Sequence, residues 1–206
     1  MSRSRSFPPY RGKRVVDLLV LAVVAIPAAA FGVVCAVAIK LTSKGPVFFR
    51  QARVGMNGAS FDVVKFRTMV IGDNPVFPDA TRITSAGRWL RRFSVDELPQ
   101  LLNVARGEMS IVGPRPTLRY QVDRYDEHQR LRLCVRPGLT GLAQVSGRNS
   151  LTWPQRIEYD IQYVQTQSLW TDLGILMATI RAVVGGEGAD GHPEDDPLAN
   201  PHRNEP

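Results

Sequence analysis

The sequence predicts an α/β protein, mostly helical with a few short strands, on an N-terminal re-entrant membrane helix that kinks at a proline. Three observations support this fold class. An uncharged apolar stretch of 22 residues lies near the N-terminus, two strand-like segments follow it around a Met-Asn-Gly turn, and segments with helical spacing make up most of the remaining chain. The length of 206 residues suits one domain beside this helix.

Composition and charge exclude several classes of protein. An apolar fraction of 44% is too high for a chain that is disordered throughout, and the presence of only two cysteines, Cys35 and Cys134, excludes a disulfide framework. No cysteine or histidine lies near another at the spacing of a zinc site. The net charge of +7 leaves three anionic partners open: nucleic acid, a membrane surface or a phosphorylated substrate.

The apolar stretch from Leu18 to Ile39 is long enough to cross a bilayer as one helix of ~33 Å. Pro27 predicts a kink, because proline lacks an amide donor and clashes with the carbonyl four residues back. Both flanks are basic and contain no acid: residues 1–14 hold five bases and residues 40–53 hold four. Since a spanning helix carries bases mainly on one side, the flanks favour a re-entrant helix whose two ends lie on the same side.

A cleaved signal peptide is the alternative for this stretch, because Ala28-Ala29-Ala30 resembles a cleavage site behind a basic N-terminus. Apolar sequence continues for nine residues past Ala30, however, and cleavage there would leave an exposed apolar N-terminus. A membrane anchor therefore explains the stretch better.

A strand pair and a short helix are predicted next. Residues 47–50 and 61–66 are typical of strands around the turn Met56-Asn57-Gly58, and 73–78 is typical of a loop. Residues 87–93 predict a short helix whose three arginines share one face, which suits either solvent or lipid head groups.

Four longer helices are predicted at 95–106, 118–131, 153–168 and 172–184. Thr152 and Gln155 have the spacing of a capping box, which marks the start of the third of these helices. The apolar stripe of the last helix fits either core packing or a membrane surface. The acidic, Gly- and Pro-rich segment that follows predicts disorder.

The adjacent acids Asp96 and Glu97 are the most informative polar residues. Ser94 and Glu97 have capping-box spacing, and taken alone the residues favour a helix cap over catalysis. The pair nevertheless follows four arginines and lies at a predicted helix start, where free amides favour anions. A carboxylate at that place could act as a nucleophile or as a Mg²⁺ ligand in phosphoryl transfer.

Further basic residues are candidates for binding phosphate. Arg115 lies between two prolines, which stiffen the backbone and pre-organise its guanidinium for an oxyanion; the alternative is a rigid loop with a surface arginine. Lys65 and Arg67 end a predicted strand, where outward-facing charges are equally expected. Three glycines between residues 138 and 147 would let a phosphate approach the backbone, although no Walker spacing is present.

The order of these motifs resembles the bacterial sugar transferase family, the monotopic polyprenyl-phosphate phosphoglycosyltransferases, in its short single-domain subclass. The strings that carry the resemblance are SKGPVFFRQARVG (43–55), FDVVKFRTM (61–69), GRWLRRFSVDELPQLLNVARGEMSIVGPRP (87–116), RPGLTGLAQVSGRN (136–149) and EYDIQYV (158–164). The resemblance covers roughly residues 13–189. It implies a basic tail at 1–12, a re-entrant membrane helix at 13–40 broken at Pro27, a catalytic domain at 41–185 and an acidic tail at 186–206.

The resemblance also implies roles for site residues. Asp96 would be the nucleophile that forms a phosphosugar–aspartyl intermediate, and Glu97 would hold Mg²⁺. Arg115 would stabilise phosphate charge. Further phosphate- or substrate-binding residues carried over from the family are Lys65, Arg67, Arg88, Arg148 and Asp160.

The implied reaction transfers a phosphosugar from a UDP-sugar to polyprenyl (undecaprenyl) phosphate and releases UMP, as the first membrane step of surface-glycan synthesis. The expected partners are the UDP-sugar, polyprenyl phosphate and lipids of the bacterial inner membrane, on its cytoplasmic face, and not nucleic acid; a homodimer is left open. Two alternatives are an ordinary glycosyltransferase that releases UDP and a non-catalytic basic scaffold on the membrane surface.

Overall fold

The computed structural model describes residues 7–70, 80–147 and 151–185. The predicted loop at 73–78, Arg148 and the acidic tail at 186–206 lie outside this part of the chain. The described residues form mainly helices together with four short strands in two separate two-stranded sheets. The predicted fold class, α/β and mostly helical, is confirmed.

The N-terminal helix α1 (Lys13–Thr42) is 30 residues long and runs without interruption through Pro27. Within the described residues it is the one helix long and apolar enough to cross a membrane, with a mean hydropathy of 2.7. The helix begins at the first residue of the predicted range 13–40 and ends two residues beyond it. The kink and the re-entrant path stay predictions.

One face of α1 packs against the rest of the protein along its whole length. At the start of the helix Asp17 accepts hydrogen bonds from the Ser110 hydroxyl and from the Ile111 amide. Near its end Cys35 and Ile39 are buried. The opposite face is apolar and exposed; its large side chains are Val15, Leu18, Leu19, Val23, Ile26, Val33, Val34, Val37 and Leu41. One side of α1 thus packs on the protein while the other side is apolar and exposed. Both ends of the helix contact the same folded domain.

A β-hairpin follows the anchor. Strands β1 (Phe48–Val54) and β2 (Ser60–Phe66) pair antiparallel, and Phe49 lies opposite Lys65. The predicted turn is present as a 3-10 turn in which Asn57 and Gly58 both have positive φ. β1 extends beyond the predicted strand because residues 51–54 pair with residues 60–63 of β2, and Val54 also bridges Thr117.

The helices between the hairpin and residue 134 are shorter than predicted. Helix α2 spans Ser85–Arg92, but 95–106 divides into a 3-10 helix (Val95–Gln100) and α3 (Leu101–Arg106), because Pro99 cannot donate an α-helical hydrogen bond. The predicted helix at 118–131 is also wrong: α4 (Arg119–Asp123) ends early and a 3-10 helix spans Gln129–Cys134. Asp126 and Gln129 exchange side chain–backbone hydrogen bonds there, which start a new turn.

Two strands were not predicted. The strands β3 (Ser110–Val112) and β4 (Gly138–Thr140) pair in parallel, and a short helix α5 (Leu142–Ser146) follows them. Helices α6 (Trp153–Thr166) and α7 (Leu169–Val184) complete the described chain. The capping box of α6 is confirmed: the Thr152 amide donates to Gln155 Oε1 and the Gln155 amide to the Thr152 hydroxyl.

The main hydrophobic core lies where α3, β3, α6 and α7 meet under α1. Val104, Met109 and Tyr163 are among its fully buried side chains. α7 contributes Ile175 to this core, while its other side exposes Trp170, Met177, Ile180 and Val184. The predicted apolar stripe of α7 therefore lies mainly on the exposed side, and of its residues Leu176 packs against the core.

The contact between β3 and β4 leaves no room for a side chain at Gly138, which gives a test of this packing. A Cβ on Gly138 would lie 2.1 Å from the Gly113 amide nitrogen and 2.4 Å from the Thr140 carbonyl oxygen. Because both atoms belong to the backbone, Gly138→Ala is expected to lower the free energy of unfolding by about 3 kcal/mol, measured by urea denaturation in detergent micelles. Gly174→Ala is the control, since its Cβ would meet nothing within 4 Å and it lies in a helix; it is expected to stabilise by about 0.5–1 kcal/mol. Equal stability of both variants would contradict the close approach.

Candidate active site

The acidic pair lies on the 3-10 helix Val95–Gln100, which packs against β2. Ser94, directly before it, has left-handed backbone angles (φ 54°) and makes no side-chain cap. The capping box expected from Ser94 and Glu97 is therefore wrong. A non-glycine residue in this conformation costs of order 1 kcal/mol, and here the turn directs the chain into the acidic pair.

Glu97 is held by two cations from distant parts of the chain. Its Oε1 lies 2.6 Å from Lys65 Nζ and 2.7 Å from Arg115 Nη2, and its Oε2 lies 3.3 Å from Arg115 Nη1. Burial acts to raise the pKa of Glu97, but Arg115 and Lys65 outweigh it and hold the pKa well below its usual range. Glu97 is therefore a permanent carboxylate in a fixed position.

Asp96 is chemically different from its neighbour. Its side chain forms no hydrogen bond within the described residues. Burial raises its pKa, Lys65 opposes this, and the Glu97 charge raises it further, to a net value of about 6. A partly desolvated carboxylate without a hydrogen-bond donor keeps its lone pairs free, and such a group is a better nucleophile than a solvated one.

Two separate segments bring these cations to the pair. Lys65 comes from β2, and Arg115 comes from the Gly-Pro-Arg-Pro loop after β3. The Arg115 side chain is 38% exposed, against 14% for Glu97, so its outer face is open to an incoming anion. The structure thus brings together four of the predicted site residues: Lys65, Asp96, Glu97 and Arg115.

The other predicted site residues that the structure describes are Arg67, Arg88 and Asp160. Arg67 is buried and donates to the Ser43 and Lys44 carbonyls, so it fastens the end of α1. Arg88 is exposed on α2, and Arg91 is the arginine of that helix whose charge lowers the pKa of Asp96. Asp160 is buried and forms an ion pair with Arg132.

Sequence reasoning missed Arg53, a neighbour of the acidic pair on β1. Arg53 donates to Gln51 Oε1 (2.6 Å) and to the Pro116 carbonyl (3.4 Å). Burial and the nearby Arg115 charge lower the pKa of Arg53 to about 10. The hairpin register could have found it, because alternate residues of β1 share a face and Lys65 pairs with that face.

The residues present fit a Mg²⁺ ion bound together with a phosphorylated ligand. Within the described chain no group of three or more His, Cys, Asp or Glu side chains is suitable for a metal. Mg²⁺ in phosphoryl-transfer sites, however, commonly takes one or two carboxylates plus phosphate oxygens and waters. Glu97 Oε2 is the oxygen best placed for such an ion, because its contact is the longer 3.3 Å hydrogen bond from Arg115 Nη1.

Comparison with known proteins identifies a family. The chain matches the bacterial sugar transferase family over residues 9–186. It is 45% identical over 153 residues to the uncharacterized sugar transferase EpsL of Bacillus subtilis (strain 168), covering 73% of this chain and 76% of that protein. It is 43% identical over 171 residues to the exopolysaccharide production protein ExoY of Rhizobium meliloti (strain 1021), with 73% and 76% covered.

A third relative has a more specific name. The chain is 45% identical over 190 residues to the UDP-glucose:undecaprenyl-phosphate glucose-1-phosphate transferase of Caulobacter vibrioides (strain ATCC 19089 / CIP 103742 / CB 15), covering 86% of this chain and 71% of that protein. The family match spans the anchor and the site, and these relatives align over most of their own length. This chain is therefore a member of the bacterial sugar transferase family.

Proposed function

We propose that this protein transfers a phosphosugar from a UDP-sugar to polyprenyl phosphate, giving polyprenyl diphosphate-sugar and UMP. The observation that carries the proposal is the acidic pair, in which Asp96 has no hydrogen-bond partner in the described chain while Glu97 is clamped by Lys65 and Arg115. The relative from Caulobacter vibrioides, by its name, carries out a reaction of this kind with glucose 1-phosphate.

The charges of the site suit a diphosphate. Four cationic side chains interact electrostatically with the acidic pair: Arg53, Lys65, Arg91 and Arg115. Against the two carboxylates they leave an excess of two positive charges. A nucleotide diphosphate-sugar carries two negative charges on its diphosphate, so the excess positive charge favours its binding.

In the first step an oxygen of the Asp96 carboxylate attacks the β-phosphorus of the UDP-sugar. The bond from that phosphorus to the oxygen bridging to the α-phosphate breaks, and UMP leaves with the electron pair. The product is a phosphosugar linked to Asp96 as an acyl phosphate. Lys65 and Arg115 neutralise the charge that develops on the phosphoryl oxygens.

In the second step an oxygen of polyprenyl phosphate attacks the same phosphorus, and the Asp96 carboxylate leaves. Glu97 is the residue suited to hold a Mg²⁺ ion, which would supply charge neutralisation at the diphosphate. The chain's own contribution is to orient the phosphorus in line with Asp96 and to fix the cations around it.

We also propose that α1 is re-entrant and that the protein is monotopic, on the cytoplasmic face of the inner membrane. Support comes from the docking of both ends of α1 on one body, with its apolar outer face uncovered. In a background without native cysteines, single cysteines at residues 5 and 44 are expected to react with a membrane-impermeant thiol reagent from the same side. Labelling from opposite sides would contradict the re-entrant path.

The reaction is tested by nucleotide release from a panel of UDP-sugars, with detergent-solubilised protein, Mg²⁺ and undecaprenyl phosphate. UMP that depends on Asp96 is expected, and the active donor identifies the sugar. UDP as the product would mean ordinary glycosyl transfer, and no nucleotide from any donor would favour a membrane scaffold.

The pKa of Asp96 gives a pH prediction. The attack needs the carboxylate, and the pKa of Asp96 is raised to about 6. We therefore expect the second-order rate constant for the single-turnover burst of UMP, measured without acceptor, to be level above pH 7 and to fall about tenfold per pH unit below pH 6. Omitting the acceptor removes titration of its phosphate. A level profile from pH 5 to 8 would contradict the assignment of Asp96 as nucleophile.

A further inference from the structure

A buried ion pair lies directly behind Arg115. Arg132, on the 3-10 helix Gln129–Cys134, and Asp160, on α6, are 2% and 1% exposed. The Arg132 guanidinium forms an ion pair with Asp160, donates to the Tyr125 hydroxyl (2.5 Å), and donates through Nη2 to the Arg115 carbonyl oxygen (2.9 Å). One buried side chain thus connects α6 to the backbone of a cation in the active site.

Asp160 is not placed to touch a substrate. One of its oxygens binds Arg132, and the other, Oδ1, is buried without a hydrogen-bond partner in the described chain. Burial raises the pKa of Asp160, and the Arg132 charge opposes this. Since a buried ion pair is costly to desolvate and is often no better for stability than apolar residues, its placement behind Arg115 points to a role in the site.

The loop around Arg115 depends on outside donors to fix its direction. Pro114 and Pro116 have no amide N–H, so two of the three residues cannot donate backbone hydrogen bonds. The loop is held through its carbonyl oxygens instead: Gly138 donates to Pro114 (2.8 Å) and Arg132 to Arg115. The hydrogen bond to the Arg115 carbonyl fixes the peptide plane after Arg115 and with it the direction in which the side chain leaves the backbone.

We propose that Arg132 and Asp160 are positioning residues for Arg115 in the transfer of the phosphosugar. Asp160 orients Arg132, and Arg132 holds the Arg115 carbonyl so that the Arg115 guanidinium meets Glu97 and the phosphoryl group. A displacement of about 1 Å in such a group is enough to cost about 100-fold in rate. This inference rests on the proposed function, and it assigns Asp160 to orientation and not to substrate binding.

The test is a double-mutant cycle that removes the ion pair without leaving a buried charge. Arg132→Met with Asp160→Leu replaces both partners by apolar side chains, which keeps the fold stable. In this double variant kcat/KM is expected to fall about 30- to 100-fold. In an Arg115→Ala background the same pair of changes is expected to alter kcat/KM by less than about threefold, because its target is absent.

Ile157→Ala serves as the matched control. Ile157 is fully buried on α6 in the same hydrophobic cluster as Tyr125 and makes no polar contact with the Arg115 loop. It is expected to lower stability while leaving kcat/KM within about twofold. Equal losses from the double variant with and without Arg115 would overturn the proposal, and so would a double variant with wild-type kcat/KM.

A second readout does not depend on activity. The Arg115 guanidinium, identified in NMR spectra by its absence in Arg115→Lys, is expected to be protected from solvent exchange by Glu97 in the wild-type protein. Loss of this protection in Arg132→Met/Asp160→Leu would support the proposal even if no donor released nucleotide and the proposed function failed. Unchanged protection would overturn it.

Discussion

Asp96→Asn is expected to abolish UMP release while making the protein more stable. Loss of the nucleophile should lower kcat by at least about 1,000-fold. The folded protein raises the pKa of Asp96 from its ordinary 3.8 to about 6, so the ionised carboxylate is disfavoured in the fold. Above pH 6 this destabilises the protein by about 1–3 kcal/mol, and the neutral amide removes the penalty.

The sign of the stability effect can be checked by comparing two pH values. A carboxylate whose pKa is raised in the folded state destabilises the protein fully at a pH above that pKa. It has no effect on stability at a pH below its pKa in the unfolded state. Urea denaturation should therefore show Asp96→Asn more stable than wild type at pH 7.5 and about equal near pH 4. A variant that is less stable than wild type at pH 7.5, or that keeps UMP release within tenfold, would contradict the assignment.

Glu97→Gln is the matched control, one residue along the chain. The carboxylate of Glu97 is stabilised by Lys65 and Arg115, so its removal leaves two cations without their partner. Stability at pH 7.5 is expected to fall, in the direction opposite to Asp96→Asn. The same sign for both substitutions would show that the two carboxylates do not have different environments.

The largest expected loss of stability comes from Asp172→Asn, at the start of α7. Asp172 is 1% exposed and accepts hydrogen bonds from Lys13 Nζ (2.7 Å), the Tyr10 hydroxyl (2.8 Å) and the Tyr163 hydroxyl (2.8 Å). The amide leaves Lys13 buried with Asp17 alone, at 3.3 Å. Breaking a buried ion pair from one side costs about 3–5 kcal/mol, measured as the decrease in free energy of unfolding.

Glu158→Gln is the control, because it removes an ion pair that is exposed and not buried. Glu158 pairs with His128 at 3.1 Å, but the two side chains are 61% and 54% exposed. Because exposed pairs are screened by solvent, its stability change should stay within about 0.5 kcal/mol. A comparable small change for Asp172→Asn would mean that α1 and α7 are not held together by the buried pair.

The sequence predicted those helices and strands whose ends are marked by residues close together in the chain. The capping box of Thr152 and Gln155 placed the start of α6, and the Met-Asn-Gly turn placed the hairpin. The β3–β4 pair was missed because each strand has three residues and its partner lies more than 20 residues away. Such a pairing depends on backbone contact at Gly113 and Gly138, which leaves no periodic pattern.

The site was predictable residue by residue but not as an arrangement. Family resemblance named Lys65, Asp96, Glu97 and Arg115, and the structure brings them together. It also named Arg67, which binds the Ser43 and Lys44 carbonyls instead, and Arg88, which is exposed on α2. Arg132 carried no signal, because one arginine in an arginine-rich segment does not reveal which carbonyl it will reach.

The docking of α1 has a consequence for the order in which the protein is made. The helix is synthesised before the rest of the domain, and it carries Lys13 and Asp17, whose partners Asp172 and Ser110 follow 159 and 93 residues later. During that interval two charges at the start of an apolar helix have no partners except each other and water. The nascent helix must therefore keep this end at the aqueous boundary until α7 is complete. A chain that begins after Thr42 would leave Ser110, Asp172 and the core under α1 uncovered, so the anchor is part of the folding unit.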